Sequence, residues 1–392
     1  MTAALPVTSP DADIAALVRD RWGDLLAEVS AGAMIRDSEL LPLPSELLSA
    51  AAEQGLQAFA LPEEIGGEGA DSVAWGKVLE QVGYLCEDVA FPLLISIRTT
   101  IARMLFDTGR ADLIEQYAIP IARGDCAVAT AYTEDADPFS MRTRLRRHGD
   151  AFVLDGHKAY VSGGMLADVF LTYSADGTGD MVACLVHRDD AGVEVRPVDS
   201  IGHRSTGAAS VTFHEVPVPS ARLMQTSDGL THAQLFLNDR RLLICCAPLG
   251  RAQAILERCV ARLSTTVRYG EPLTEMKNVQ ATLGRMYVAI EASKATLYRA
   301  LRHMAGGDGD PVFDPAVSAA KYFVVEQVRY VLDQAFRVLG GHAYYGDLHF
   351  GRYLRDFAGL VAAAGTQDIL ETNLGAAAIA RLRPPTNGRN SA

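Results

Sequence analysis

The sequence predicts an α+β fold, mostly α, in three parts: an N-terminal helical domain over 1–125, a middle β-barrel-like domain over 126–228, and a C-terminal four-helix bundle over 229–392. Two observations lead there. Apolar residues recur three and four apart toward both ends of the chain, the spacing of amphipathic helices. In the middle they recur in short alternating runs broken by turns, the spacing of strands. A third observation narrows what such a fold can hold. There is no Gly-x-Gly-x-x-Gly after a strand, no P-loop, no His-Glu-x-x-His and no Gly-x-Ser-x-Gly, so a nucleotide cofactor must be held by other means.

Taken in order, DIAALVRDRWGDLLAEV and SELLSAAAEQGLQAFAL each place an apolar stripe on one helix face. PEEIGGEGA follows as a Pro/Gly-rich loop, and VAWGKVLEQVGYLCEDVAF reads as the next helix. From about Cys126 the runs CAVATAY, AFVLDG, VFLTYSADGTGD, MVACLVHRDD, VEVRPV and ASVTFHEVPVP read as strands, a domain of roughly 100 residues. Helices resume at about Leu230. RLLICCAPLGRAQAILERCVARLSTTV, NVQATLGRMYVAIEASKATLYRALRHM, AVSAAKYFVVEQVRYVLDQAFRVLGG and TQDILETNLGAAAIARLR are four long amphipathic stretches, which suits a bundle. GGDGDPVFDP reads as the loop between the middle two, and PPTNGRNSA as a frayed tail.

Composition limits the function classes. The chain is 49% hydrophobic and 21% charged, a globular balance. A formal net charge of −12 argues against a nucleic-acid partner, which needs a basic surface. The six cysteines form no Cys-x-x-Cys pair and lie mostly in apolar runs, so buried reduced thiols are expected and no metal. No apolar run reaches the roughly 18 residues of a membrane span, and MTAALPVTSPDADIAALVRD lacks the pattern of a secretion signal. The expected location is cytoplasmic.

Seven segments, in order and at suitable spacing, resemble the acyl-CoA dehydrogenase family. They are LPEEIGGEGA; Ala131-Tyr132-Thr133-Glu134; the segment from Gly156 to Gly164, GHKAYVSGG; IGHRSTGAASVTFHEVPVP; RYGEPLTEMKNVQ; AAKYFVVEQVRYVLDQAFRVLGGHAYYGD; and RYLRDFAGLVAAAGTQDIL. The resemblance implies an acyl-CoA dehydrogenase-like fold, bound FAD and an acyl-thioester substrate. A flavin ring needs an apolar or aromatic wall and hydrogen bonds to one polar edge. Tyr132, Thr133, Tyr160 and Ser162 are the implied ring contacts. Gln334, Gly340 and Gly341 are implied to meet the diphosphate and adenosine half of a flavin held largely by a neighbouring subunit, although a glycine helix cap would explain the same residues. Thr366 and Gln367 are implied contacts at the start of the last helix. Ser140, Asn238, Arg241, Ala364 and Gly365 are implied to line the substrate. A homodimer or homotetramer is therefore expected.

The pattern breaks where the chemistry sits. The family's catalytic Glu stands immediately before Gly-Thr, nine residues after an Arg-Asp pair. Here the pair is Arg355-Asp356, the Gly-Thr is Gly365-Thr366, and the place is taken by Ala364, which accepts no proton. Some members carry the base before an arginine that resembles Arg241, and there this chain has Arg240. A diphosphate-binding arginine is replaced by Thr266, leaving Arg268 two residues on as the nearest cofactor-binding candidate and implying weaker FAD retention. The loop 135–140 carries extra acids where the family has glycines. Glu134, Asp239, Asp356 and His342 are the titratable residues expected near the cleft, with Asp356 read as an ion-pair partner of Arg355. Three functions follow: an oxidoreductase on an acyl thioester of CoA or a carrier protein, a flavin-dependent monooxygenase, and a non-redox cyclase, isomerase or partner subunit.

Overall fold

The computed structural model describes residues 12–135, 141–224, 229–307, 309–310, 313–345 and 349–383. The N-terminal part comprises α1 (Ala12–Ala31), α2 (Ala33–Glu39), α3 (Ser45–Glu53), α4 (Ser72–Leu85) and α5 (Ala90–Asp107). A short α6 (Ala111–Leu113) passes through a π-turn at Ile114–Ala118 into α7 (Ile119–Arg123). The helix read from 73 to 91 is thus two helices. Asp71 caps the first through Ala74 N (2.7 Å), and Asp88 breaks the run by accepting from Ala90 N at 3.2 Å. Buried Asp88 also pairs with Arg36 at 2.9 Å and accepts from the Ser205 hydroxyl, so the break ties this part to the β domain.

That domain is an eight-stranded sheet. Its strands are β1 (Val128–Ala131), β2 (Arg144–His148), β3 (Ala151–Val161), β4 (Val169–Ala175), β5 (Met181–His187), β6 (Val193–Pro197), β7 (Ala209–Pro219) and β8 (Leu223–Met224). The order is β6-β7-β3-β2-β4-β5-β8, with β1 parallel to β4 and most other pairs antiparallel. β4 is buried along its whole length, enclosing Thr172 and Ser174 together with its apolar side chains. β2 falls outside the expected strands, because RLRRH buries Leu145 alone and has three arginines and a histidine at its other positions.

The C-terminal part opens with α8 (Gly229–Thr265), 37 residues long, which continues through Pro248. A short hairpin of β9 (Val267–Arg268) and β10 (Glu271–Pro272) leads to α9 (Lys277–Ala305) and α10 (Pro315–Leu339). Then come α11 (Gly341–Tyr344), α12 (Phe350–Ala362) and α13 (Gln367–Leu382). α12 lies outside the four stretches expected, yet it buries Phe350, Tyr353, Phe357 and Leu360 against the bundle.

Three cores result. The largest joins α1, α3 and α4 to the C-terminal helices. A second packs α5 and α7 against β1, β4, β5 and the start of α8, so the first two domains share an interior. The third lies within the sheet around Leu154, Phe170, Val186 and Phe213. All six cysteines are free, and among the described residues no helix is long and apolar enough to cross a membrane.

α4 and α8 approach so closely that only glycine fits at the crossing. A Cβ on Gly250 would lie 1.8 Å from the Glu80 carbonyl oxygen, and one on Gly83 would lie 2.1 Å from that of Ala247. Gly250→Ala should therefore force the helices apart and cost at least about 3 kcal/mol, the upper range for overpacking. Gly375→Ala, in the exposed α13 with open space around it, should instead gain about 1 kcal/mol of helix propensity. Thermal melts of both variants check this; equal melting temperatures would refute the crossing argument.

Candidate active site

The end of β1 and the end of β3 meet. The Ala159 N–H donates to the Thr133 carbonyl at 2.9 Å, so residues 132–133 and 159–162 form one surface. Lys158, fully buried, fixes that surface by donating to the Tyr132 carbonyl (3.1 Å) and to Glu134 Oε1 (2.6 Å). Burial pushes the Glu134 carboxyl up, but the Lys158 hydrogen bond and charge outweigh it and leave it below its usual range. Two backbone N–H groups, of Arg142 and Thr143, also donate to Glu134. It is a fully engaged structural carboxylate. The Tyr132 ring packs edge-on against Tyr173 at 5.1 Å. Tyr160 is 66% exposed, with its ring open, and the Ser162 hydroxyl makes no hydrogen bond among the described residues. An open aromatic face beside an uncommitted hydroxyl suits a flat ring with one polar edge.

A second group forms around Arg241 of α8. Its guanidinium donates to the Ala364 carbonyl (3.1 Å) and to Asn238 Oδ1 (2.6 Å), while the Asn238 amide donates to the Asp310 carbonyl. Ala364 and Gly365 are both left-handed, with φ of 52° and 95°. For alanine that conformation is unfavourable and persists because its surroundings enforce it. The enforcement comes from two buried cations, since Lys321 of α10 donates to the Gly365 carbonyl and to Gln367 Oε1, both at 2.9 Å. Burial, with help from the Arg241 charge, brings the Lys321 ammonium down to about 8. The Gln367 amide nitrogen donates to Tyr322 O and Glu326 Oε1, and Thr366 caps α13 through Ile369 N. Burial raises the Tyr132 phenol above its ordinary range, with the Arg241 charge acting in the opposite direction. Ser140 lies outside the described residues.

The third group is remote. Gln334 stands 13 residues beyond Lys321 on α10, roughly 20 Å at the helical rise. It is buried and donates to Asp333 at 2.9 Å. Gly340 caps α10 with φ 55° and ψ −125°, a conformation that favours glycine, and a Cβ there would meet nothing within 4 Å. Such a cap leaves room for close approach by a diphosphate. Arg268 is exposed and donates to its neighbour's carbonyl. Arg262, one helical turn before Thr266, lies 2.8 Å from His342 Nδ1 and brings a cation beside Gly341 that the motif reading overlooked.

Asp239, Asp356 and Asp314 are each engaged by other partners. Asp239 accepts from the Thr100 hydroxyl at 2.5 Å. Asp356 is not paired with Arg355 as expected: it accepts from His203 N at 2.6 Å, while Arg355 turns to Asp37, because consecutive helical residues diverge by about 100°. Asp314, buried, caps α10 through Val317 N and bonds His303 at 2.8 Å. Among the residues that sequence reasoning missed, Asp314 before Pro315 was readable as a helix start. Lys321, inside an apolar helix face, carried no signal.

Residues 16–125, 126–216 and 227–379 match, in turn, the N-terminal, middle and C-terminal domains of acyl-CoA dehydrogenases. A 3-(aryl)acrylate reductase of Clostridium sporogenes (strain ATCC 15579) is 25% identical over 335 residues, covering 83% of this chain and 88% of that protein. The crystal structure of the prolyl acyl carrier protein oxidase AnaB superposes with a TM-score of 0.83 at 21% identity, covering 91% and 98% of the two chains. A glutaryl-CoA dehydrogenase from Mycobacterium smegmatis in complex with FADH2 gives 0.86 at 21% identity, covering 94% of each. With three consecutive domains matched over nearly its whole length, the chain belongs to the acyl-CoA dehydrogenase family.

Proposed function

We propose that this protein is an FAD-dependent oxidoreductase that acts on an acyl thioester, of CoA or of a carrier protein, without the family's glutamate base. Two observations support this reading: residues 132–133 and 159–162 are joined into one surface with an open aromatic ring, and Arg241 and Lys321 hold a turn at Ala364–Gly365 that carries no carboxylate. FAD held by these residues would supply a hydride acceptor for oxidation of the acyl chain next to the thioester. The chain's own residues wall the ring with Tyr160, present the Ser162 hydroxyl and keep the Ala364–Gly365 turn rigid through Arg241 and Lys321. None of them offers a carboxylate at that turn. The substrate is then one whose α-proton is acidic enough to leave without a strong base. The distance from Lys321 to Gln334, Gly340 and Gly341 suits a cofactor shared across a subunit boundary, hence a homodimer or homotetramer, with Arg262 and Arg268 as phosphate partners. A flavin-dependent monooxygenase is the second reading. It is favoured by Ala364, since oxygenation needs no base there.

The purified protein is expected to quench FAD fluorescence at micromolar concentration, and a candidate acyl thioester is expected to bleach the bound flavin without oxygen. No quenching removes both flavin readings. Bleaching by an external reductant alone, followed by substrate-dependent oxygen uptake, establishes the second over the first.

Ala364→Glu tests whether only the base is missing. General-base catalysis is worth roughly 10²–10⁴ in rate. Arg241 and Lys321 already hold this turn and would pair with the new carboxylate, so butanoyl-CoA should still fail to bleach the flavin. Rapid bleaching by that variant would contradict the expectation.

A further inference from the structure

Arg188 follows β5 directly, where that strand ends beside the start of β4: Val169 pairs with His187, and the Arg188 N–H donates to the Asp168 carbonyl at 2.8 Å. The run His187-Arg188-Asp189-Asp190 suggests a local ion pair, yet among the described residues Arg188 pairs with no carboxylate. Asp190 accepts from His187 N (2.8 Å) and pairs with Arg222 (2.6 Å). The half-buried Arg188 side chain crosses instead to the turn that follows Ser162. Its Nη1 lies 3.1 Å from the carbonyl oxygen of Gly164 and 3.2 Å from those of Met165 and Ala167, so its N–H groups are shared among three acceptors. Those carbonyls accept from no other donor among the described residues. The rest of the turn is fixed from other sides. Gly164 N donates to Val161 O at 3.0 Å, and Met165 N donates to Gly207 O at 2.9 Å. Gly163 is left-handed, with φ 75°, and a Cβ there would come within 2.9 Å of Leu94 on α5.

Resting on the flavin reading above, we propose that Arg188 is a positioning residue for the cofactor surface and acts through the Ser162 hydroxyl. Ser162 is the first residue beyond β3, and the carbonyls that Arg188 gathers begin two residues later. β3 therefore fixes Ser162 from one side and Arg188 from the other. Three carbonyl oxygens brought to one point repel one another unless a cation sits among them, and a charged donor is the strong form of that contact. A hydroxyl adds to binding only when the backbone that carries it is already placed, because ordering that backbone at the moment of binding costs entropy. The end of β5 makes no cofactor contact in this reading, yet through Arg188 it sets where the Ser162 hydroxyl stands.

The test is a double-mutant cycle on the full chain, freed of flavin and titrated with FAD, with the dissociation constant read from fluorescence quenching. Ser162→Ala should weaken FAD binding ~3–10-fold, the range of one hydrogen bond. Arg188→Met should weaken it by a similar factor. The double variant should lose no more than the larger single effect, because a turn without the hydroxyl has nothing left to position. Arg188→Lys, which keeps the charge but not the reach of the guanidinium, should fall between wild type and Arg188→Met. A merely structural role gives instead the product of the two single factors. That product, or unchanged FAD affinity in either single variant, overturns the proposal while leaving the flavin reading intact. Wild-type protein that takes up no FAD overturns that reading and the proposal with it. If the Met variant fails to fold, Arg188→Lys completes the cycle under the same criteria.

Discussion

The guanidinium of Arg251 closes the C-terminal end of α4. It is 1% exposed and donates to the carbonyls of Gly83 (3.0 Å), Tyr84 (2.6 Å) and Cys86 (2.7 Å). A helix end carries unsatisfied carbonyls and a partial negative charge, and a buried cation meets both needs at once. Without it, the Gly83–Gly250 crossing would bury bare carbonyls in the largest core. With it, α8 is fixed lengthwise against α4, and every side chain that α8 sends out is placed by that register. Arg240 reaches Ser96, Arg241 reaches Ala364, and Arg258 reaches Glu87.

The candidate site is organised by charge rather than by a catalytic acid. The turn at Ala364–Gly365 is held by two buried cations acting on successive carbonyls. Cation-to-carbonyl bonds keep a left-handed backbone rigid without adding any group that accepts a proton. The side chain at 364 is a methyl group, so the turn itself offers no proton acceptor.

The three-part architecture was legible because hydrophobic period changes are strong signals, and α1, β4, α9 and α10 fall where that period places them. Three elements were not. The break at 86–89 depends on Asp88, whose partners Arg36 and Ser205 are far away in sequence. β2 hides behind its arginines. α12 is short, and its apolar face becomes evident only once packed. Among site residues, the motif spacing located Arg241 and the Ala364–Gly365 turn. The partners that give these residues their state (Lys321 on the Gly365 carbonyl, the Asp310 carbonyl on the Asn238 amide) come from separate elements, and no local pattern announces them. The link from Arg355 to Asp37 rather than to its neighbour Asp356 shows the same limit: adjacency in a helix separates side chains.

The thiols give the packing a practical meaning. Five of the six cysteines are buried, and burial holds Cys86 up at about 11 and Cys184, Cys245 and Cys259 up at about 12. Even the half-buried Cys126 is raised to about 11. Reaction with an alkylating agent requires thiolate, so the closed molecule is nearly silent to such a reagent near neutral pH. Each cysteine taken up therefore records an opening of the layer it occupies. Cys184 reports the sheet, while Cys245, Cys246 and Cys259 report successive turns of α8. The chain carries its own clock for the order in which its layers come apart.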